Sequence, residues 1–331
     1  MDIVRTVFGR NLPASRSFAS PKANTDGFTL IELLVVIVTV ALLATLVLPA
    51  LAGTKPNSQS FQCLENELQL TLAWQMYAED NNDVLAPNDY LYTTTYTTQT
   101  AAWQAQHKNW VVGSMAPQCP LDQADAFAGI GKSELLTPNT LLSPYQTNRA
   151  VYHYPADNFI SPTTKRTHVR SYSMNSAVGT IFGSATANGG TDSRPVGSPI
   201  GGGWLPGSGY NPNQTTWLTY GRMSSFNRPG PANTFVIMDE NPQSINDGRM
   251  EVSAFAAPGY TYLIDYPSGN HNGAAAISFA DGHVLIHKWL DSRTHTPTLP
   301  EGGQGSIGSS GHQNPDDSDC YYLSSITSAL R

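Results

Sequence analysis

Residues 27 to 53 read GFTLIELLVVIVTVALLATLVLPALAG, and from Phe28 to Ala52 a single ionisable side chain, Glu32, interrupts the apolar run. At about 1.5 Å per residue such a run is long enough to cross a hydrocarbon core of about 30 Å. The segment before it sets Arg5, Arg10, Arg16 and Lys22 against Asp2 and Asp26. That bias predicts a cytoplasmic N-terminus, and hence a single-pass inner-membrane protein whose C-terminal domain is periplasmic. Ala50-Leu51-Ala52 has the small residues of a signal-peptidase site. However, a secretory apolar region usually runs about 7 to 15 residues, and a carboxylate near its start fits poorly.

Glu32 is the anomaly. A carboxylate in a lipid-facing helix costs about 2.5 to 3.5 kcal/mol and usually marks function. A cut between Gly27 and Phe28 would create an α-amine one helical turn from Glu32, in surroundings that strengthen the attraction. The string Gly27-Phe28-Thr29-Leu30-Ile31-Glu32 followed by an apolar helix resembles the class III signal of type IV prepilins and type II secretion pseudopilins. The resemblance implies cleavage after Gly27 by a prepilin peptidase, N-methylation of Phe28, and a Glu32 that aligns one subunit on the N-terminus of the next. Pro49 falls where many pilins carry a helix-kinking proline. On this reading the partners are the peptidase, other pilin or pseudopilin subunits and the inner membrane, with surface or pseudopilus association after assembly.

Past this run, residues 59–79 place Phe61, Leu64, Leu68, Leu72 and Met76 at spacings of three and four, one face of an amphipathic helix. Gly53, Pro56 and Ser58 predict a kink or break before it, and the polar residues Asp80 to Asp83 predict its end. Beyond Pro87 short apolar runs alternate with Gly, Pro, Asn and Ser, the pattern of antiparallel strands and long loops. The expected fold is α+β and pilin-like, a long membrane-spanning N-terminal helix packed on an antiparallel sheet with long irregular loops. Its divisions are a leader at 1–27, a transmembrane part at 28–58 and an extracytoplasmic domain at 59–331 with a flexible segment at 301–311.

The strongest hairpin signal is AAAISFADGHVLIHKW, residues 274–289. A two-residue turn at Asp281-Gly282 would pair Ala280 with His283, Phe279 with Val284 and Ile277 with Ile286. Phe279, Val284, Ile277 and Ile286 would then share the core face, with His283 and His287 opposite. His271, nine intervening residues and Asp281-Gly282 also resemble the H-x9-DG motif of a large group of prepilin-like proteins. Their helix pattern "CxNNLxQxxLAWxMYADDNN" is similar to the stretch from Cys63 to Asn82.

The chain contains three cysteines, Cys63, Cys119 and Cys320, and spacing alone leaves all three pairings open. Where those relatives commonly read Y-x-C-P-x-D, this chain has Tyr154. The resemblance thereby implies that Cys63 has lost its partner and that Cys119 and Cys320 form the bridge.

Composition narrows the function. A net charge of −7 with 13% charged residues argues against nucleic acid, which needs clustered cations. No GxSxG, HExxH, Walker or zinc-spaced Cys/His motif is present, so no enzyme activity is expected. His271 and Asp281 would stand some 30 Å apart if the residues between them were extended, which favours a loop-anchoring His and a turn Asp. No cofactor is expected. Ca²⁺ is the one ion for which Glu79 to Asp83, or Asp239, Glu240 and Asp247, supply oxygen ligands, but neither group fits an EF-hand. The expected function is a prepilin-like structural subunit of a type II secretion pseudopilus or type IV pilus-like assembly. The alternative is a membrane-tethered extracytoplasmic binder of carbohydrate or Ca²⁺ that uses the pilin signal only for export.

Overall fold

One face of α2, Thr54–Asp80, organises the second of the two units into which the chain divides, Met1–Gly53 and Thr54–Arg331. The structure is a computed structural model. It describes residues 29–52, 54–88, 108–111, 140–162, 165, 167–181, 194–207, 211, 213–254, 263–295 and 318–331, with backbone alone at 44–52 and 54–58.

The first unit holds α1, Leu30–Ala52. The Thr29 backbone N–H and hydroxyl both donate to Glu32 Oε2 at 2.8 Å, and the Glu32 N–H donates to Thr29 Oγ1 at 3.3 Å. This is a reciprocal capping box at the helix start. The predicted membrane-spanning helix and single-pass inner-membrane placement are corrected here. Among the described residues no helix is long and apolar enough to cross a membrane. At about 1.5 Å per residue, the apolar run with described side chains, residues 30–43, covers about 21 Å, short of the roughly 30 Å of a hydrocarbon core. Leader residues 1–27, Phe28 and the segment 301–311 lie outside the described residues.

The second unit is built on a five-stranded sheet in the order β3-β1-β2-β4-β5. Its strands are β1 Tyr172–Asn175, β2 Phe235–Asp239, β3 Arg249–Met250, β4 Ala274–Phe279 and β5 Val284–Lys288. The sheet is mixed rather than purely antiparallel, since β1 and β3 pair in parallel. A helical turn α3, Ser292–His295, and the helix α4, Ser318–Thr327, complete the order of elements.

Both faces of the sheet are covered, which explains why every residue of β4 is buried. On one face Cys63, Leu70 and Trp74 of α2 cluster with Ile237 and Ala276. On the other, Cys320 and Leu323 of α4 cluster with Phe235, Met238, Ile277 and Phe279. The stripe of large apolar residues on α2 is not the buried one. Phe61 is 68% exposed and Leu68, Leu72 and Met76 are exposed with it, whereas Cys63, Glu67, Leu70, Ala73, Trp74 and Ala78 are buried. The buried face of α2 mixes Leu70 and Trp74 with Ala73 and Ala78, and the sheet face opposite presents Ala276 and Ala280, which leaves room for the larger side chains. Its C-terminal end at Asp80 matches the sequence signal, and Gly53 lies outside the described residues.

The hairpin register differs from the two-residue expectation by one position. Ser278 pairs with Val284, Ile277 with Leu285 and Ala275 with His287. The Phe279 N–H donates to His283 O at 3.0 Å and the Gly282 N–H to Phe279 O at 2.9 Å, closing a three-residue loop over Ala280-Asp281-Gly282. Gly282, at φ 97°, takes the left-handed position that ends such loops. The slip moves His283 and His287 to the Phe279 face, where they stack on Phe279 and on Tyr322 of α4, at 4.3 and 3.6 Å between ring centres.

A bulge in β2 decides which of its side chains reach each face of the sheet. Phe235 faces Phe279, but the register then shifts so that Ile237 faces Ser278. Phe235 and Met238 therefore reach the α4 side, while Val236 and Ile237 both reach the α2 side. The buried Ser278 hydroxyl accepts from the Ile237 N–H at 3.2 Å and donates to Ile237 O at 3.1 Å. Ser278→Ala strips those backbone groups of their partner and is expected to destabilise the protein by about 1–3 kcal/mol. An unchanged urea midpoint would show that the bulge does not need the hydroxyl.

Candidate functional site

The bulge aims Asp239, the last residue of β2, at α2. There it meets Cys63 and, from the loop before β4, His271. The Cys63 Sγ, a carboxylate oxygen of Asp239 and a ring nitrogen of His271 all lie within 4.8 Å of one another, and all three residues are buried. His271 Nε2 stands 3.1 Å from Asp239 Oδ2. The contact is close but not aligned for N–H···O bonding, and the Ala276 backbone and Ser268 also stand near the Asp239 carboxylate. Glu67 follows Cys63 by one helical turn on the same face of α2. It is fully buried, and neither of its carboxylate oxygens has a well-aligned hydrogen bond.

The surroundings hold these groups rather than neutralise them. His271 Nδ1 is 2.9 Å from Ser60 Oγ, and the Tyr154 ring lies 4.6 Å from the imidazole. The Tyr172 hydroxyl is 3.3 Å from Cys63 Sγ. Burial, reinforced by Asp239 and Glu67, pushes the Cys63 thiol well above its ordinary range. Burial likewise raises Glu67, with Asp239 adding to it, and raises Asp239 against the opposing pull of His271. A neutral, enclosed thiol is a poor nucleophile. The same sulfur, nitrogen and oxygen set is a competent metal-ligand set.

His271 and Asp281 flank opposite ends of β4 and do not meet. Asp281 Oδ1 instead accepts from the His283 N–H at 3.1 Å, with His283 Nδ1 at 2.7 Å, and fixes the turn. His271 is more than the expected loop anchor, since it supplies one corner of the buried cluster. No sequence window could show this, because residues 63, 67, 239 and 271 converge only through the sheet. Glu32 closes its capping box from the third helical position, and Pro49 lies within α1, beyond the described side chains. Gly27, Phe28 and Cys119 are outside the described residues; Cys63 is a free thiol, and Cys320 is buried on α4.

The acidic groups considered for Ca²⁺ are engaged locally. Asp83 accepts from the Ser224 hydroxyl at 2.5 Å and Asp80 from the Tyr145 hydroxyl at 2.9 Å. Glu240 accepts from the Ser173 hydroxyl at 2.5 Å, and Asp247 from the Arg249 N–H at 2.8 Å. Behind them lies a second buried acidic set. Asp265 accepts from the Glu251 N–H at 2.6 Å, and Glu251 pairs with Arg249.

Burial pushes Glu251 up to about 7 from an ordinary value of 4.5, the attraction of Arg249 notwithstanding, and Asp247 adds to the rise. Burial, Glu240, Glu251 and Asp247 drive Asp265 up as well. Between pH 4.5 and about 7 the folded protein keeps a proton on Glu251 that the unfolded chain has released. The stability linked to this group is therefore complete below pH 4.5 and declines as pH rises toward 7. Across that window the urea midpoint of the parent is expected to fall relative to that of Glu251→Gln, which cannot ionise. Parallel pH profiles would show that Glu251 is charged in the folded state.

No family model and no solved structure matches the chain. Over 61 residues, 18% of this chain and 43% of the relative, it is 41% identical to the type II secretion system core protein G of Aeromonas hydrophila. Over 56 residues, 17% of this chain and 36% of the relative, it is 43% identical to the protein of the same name from Pectobacterium carotovorum subsp. carotovorum. The chain thus spans less than half the length of these curated relatives, and the two matches support a pseudopilin-like relationship.

Proposed function

We propose that the chain is a non-enzymatic, pseudopilin-like structural subunit, cut after Gly27 by a prepilin peptidase, N-methylated at Phe28, and joined to other pseudopilin subunits through its helices. The observation that carries this reading is uncovered apolar surface. Along α1 the side chains from Leu30 to Leu43 are exposed, Leu30 to 79%, with Glu32 the only charge among them. The α2 stripe of Phe61, Leu68, Leu72 and Met76 is exposed as well. Contiguous apolar surface of this kind marks interaction sites. Helices that are apolar on an uncovered face are stabilised by packing against others. The similarity to type II secretion core protein G over some 60 residues supports the same occupant, neighbouring subunits.

Processing is tested by mass spectrometry of the mature chain, where N-methyl-Phe28 is expected as the first residue. A mature chain beginning at Gly53 would mean ordinary signal-peptidase cleavage and would overturn the reading.

The role of Glu32 needs a substitution that spares the capping box. Gln caps the third helical position as Glu does, so Glu32→Gln keeps the helix start while removing the charge. The variant is expected to be cut after Gly27 yet to be depleted at least about tenfold from cross-linked assemblies. Incorporation at the parental level would assign Glu32 to capping alone.

A further inference from the structure

We propose that Cys63, Asp239 and His271 form a structural site for a zinc-like divalent transition-metal ion that clamps α2 to the sheet, with the buried Glu67 carboxylate one helical turn beyond Cys63 as the neighbouring oxygen donor. Such a site is independent of the pseudopilin reading, because none of its ligands belongs to α1 and none lies on the exposed stripe of α2.

The donor atoms are incompletely paired. Both oxygens of Glu67, both oxygens of Asp239 and Nε2 of His271 are buried without a well-aligned hydrogen bond, although the Ala276 backbone and Ser268 stand near Asp239 and the Asp239 backbone near Glu67. Leaving such groups poorly paired costs about 1–3 kcal/mol for a neutral donor or acceptor and more for a charge. These neighbours leave the two carboxylates short of full pairing, and a shared cation would complete it. A cation held among them satisfies all of the donors at once.

Their spacing suits an ion as well. Two ligands each about 2.0 Å from a tetrahedral centre stand about 3.3 Å apart. His271 Nε2 and Asp239 Oδ2 are 3.1 Å apart, close to that separation, and are not aligned for an N–H···O bond. Cys63 Sγ lies within 4.8 Å of both. The Cys63–Glu67 pair, separated by one helical turn, comes from a rigid helix; Asp239 comes from the central strand and His271 from the loop leading into β4. A metal at their meeting point would tie three elements together.

The outer contacts are those of a metal-binding histidine. Ser60 Oγ sits 2.9 Å from Nδ1. Placing the imidazole proton on Nδ1, donated to Ser60, leaves the Nε2 lone pair for the ion. Tyr154 packs on the ring, and the Tyr172 hydroxyl reaches Cys63 Sγ at 3.3 Å. The mixture of thiolate, imidazole and carboxylate selects a borderline ion such as Zn²⁺ over Ca²⁺ or Mg²⁺, which take oxygen ligands. All four side chains are buried, as in closed structural sites, and binding releases the Cys63 proton to solvent.

The test uses the purified full chain, stripped with chelator and titrated with Zn²⁺ and, separately, with Co²⁺ as a spectroscopic probe. One equivalent per chain is expected, with a thiolate-to-Co²⁺ charge-transfer band and a higher melting temperature in Zn²⁺. Cys63→Ser is expected to lose the band, and Ser60→Ala to weaken Zn²⁺ binding about 10- to 100-fold. Asp281→Asn, in the exposed turn, is expected to retain full binding. Because a ligand variant could fail to fold, the wild-type chain decides the matter by itself. A folded wild-type chain, with native circular dichroism, that takes up neither ion would overturn the assignment. So would a charge-transfer band that survives in Cys63→Ser.

Discussion

The extra residue in β2 is the constraint on which the buried chemistry depends. In a regular strand Asp239 would share a face with Phe235 and Ile237 and point toward α4. The bulge places Val236 and Ile237 on one side in succession, so Met238 and Asp239 each change face. Asp239 thereby turns toward Cys63, Glu67 and His271. The irregularity leaves backbone groups out of the ladder, and the Ser278 hydroxyl satisfies those of Ile237. A polar residue in the middle of a fully buried strand is explained by that task, and Ala276 nearby by the room it leaves for Leu70 and Trp74 of α2.

Two opposing terms meet in this interface. The apolar clusters on the two faces of the sheet favour folding in proportion to the area they remove from water. The acidic side chains carried inside with them oppose it, because a buried charge must be paired or neutralised. The two acidic sets resolve the conflict differently. Glu251, Asp265 and Asp247 lie among Arg249 and backbone N–H donors, and protonation covers what pairing leaves. Glu67 and Asp239 have one basic group, the His271 imidazole, for two carboxylates, with the Ala276 backbone and Ser268 beside Asp239 and the Asp239 backbone beside Glu67. Pairing is incomplete there, and it is this imbalance, rather than the presence of acids as such, that separates the two sets.

How much of the fold is legible in the sequence depends on how local the governing interactions are. The end of α2 at Asp80 and the existence of the β4–β5 hairpin rest on signals within a few residues, and both are present. The hairpin register is not legible in this way. Asp281-Gly282 serves a two-residue loop and the end of a three-residue loop equally well, and packing of His287 on Tyr322 decides between them. The buried face of α2 escapes a reading that lets large apolar residues mark the face. The sheet opposite presents Ala276 and Ala280 and takes in Trp74 and Leu70 from a different face of the helix. The Cys63, Glu67, Asp239, His271 cluster depends on a bulge, a helix orientation and a loop, none of which spacing encodes. Identical side chains at those positions without the bulge would not meet.

Glu32 shows how a single residue can answer to two constraints. The described apolar side chains of α1, residues 30–43, are exposed and are not explained by packing within their own unit. Within α1 the capping box gives Glu32 a purely local reason to exist: it satisfies the Thr29 N–H, while the Thr29 hydroxyl satisfies the Glu32 N–H. Gln would serve that box as well, and the helix dipole favours a negative charge at this end only modestly at an exposed position. Capping therefore accounts for a side-chain carbonyl oxygen at this position but only weakly for a carboxylate. Under the proposed function the full charge has a second use, since the amino terminus of a neighbouring processed subunit is a cation that such an assembly would bring within reach.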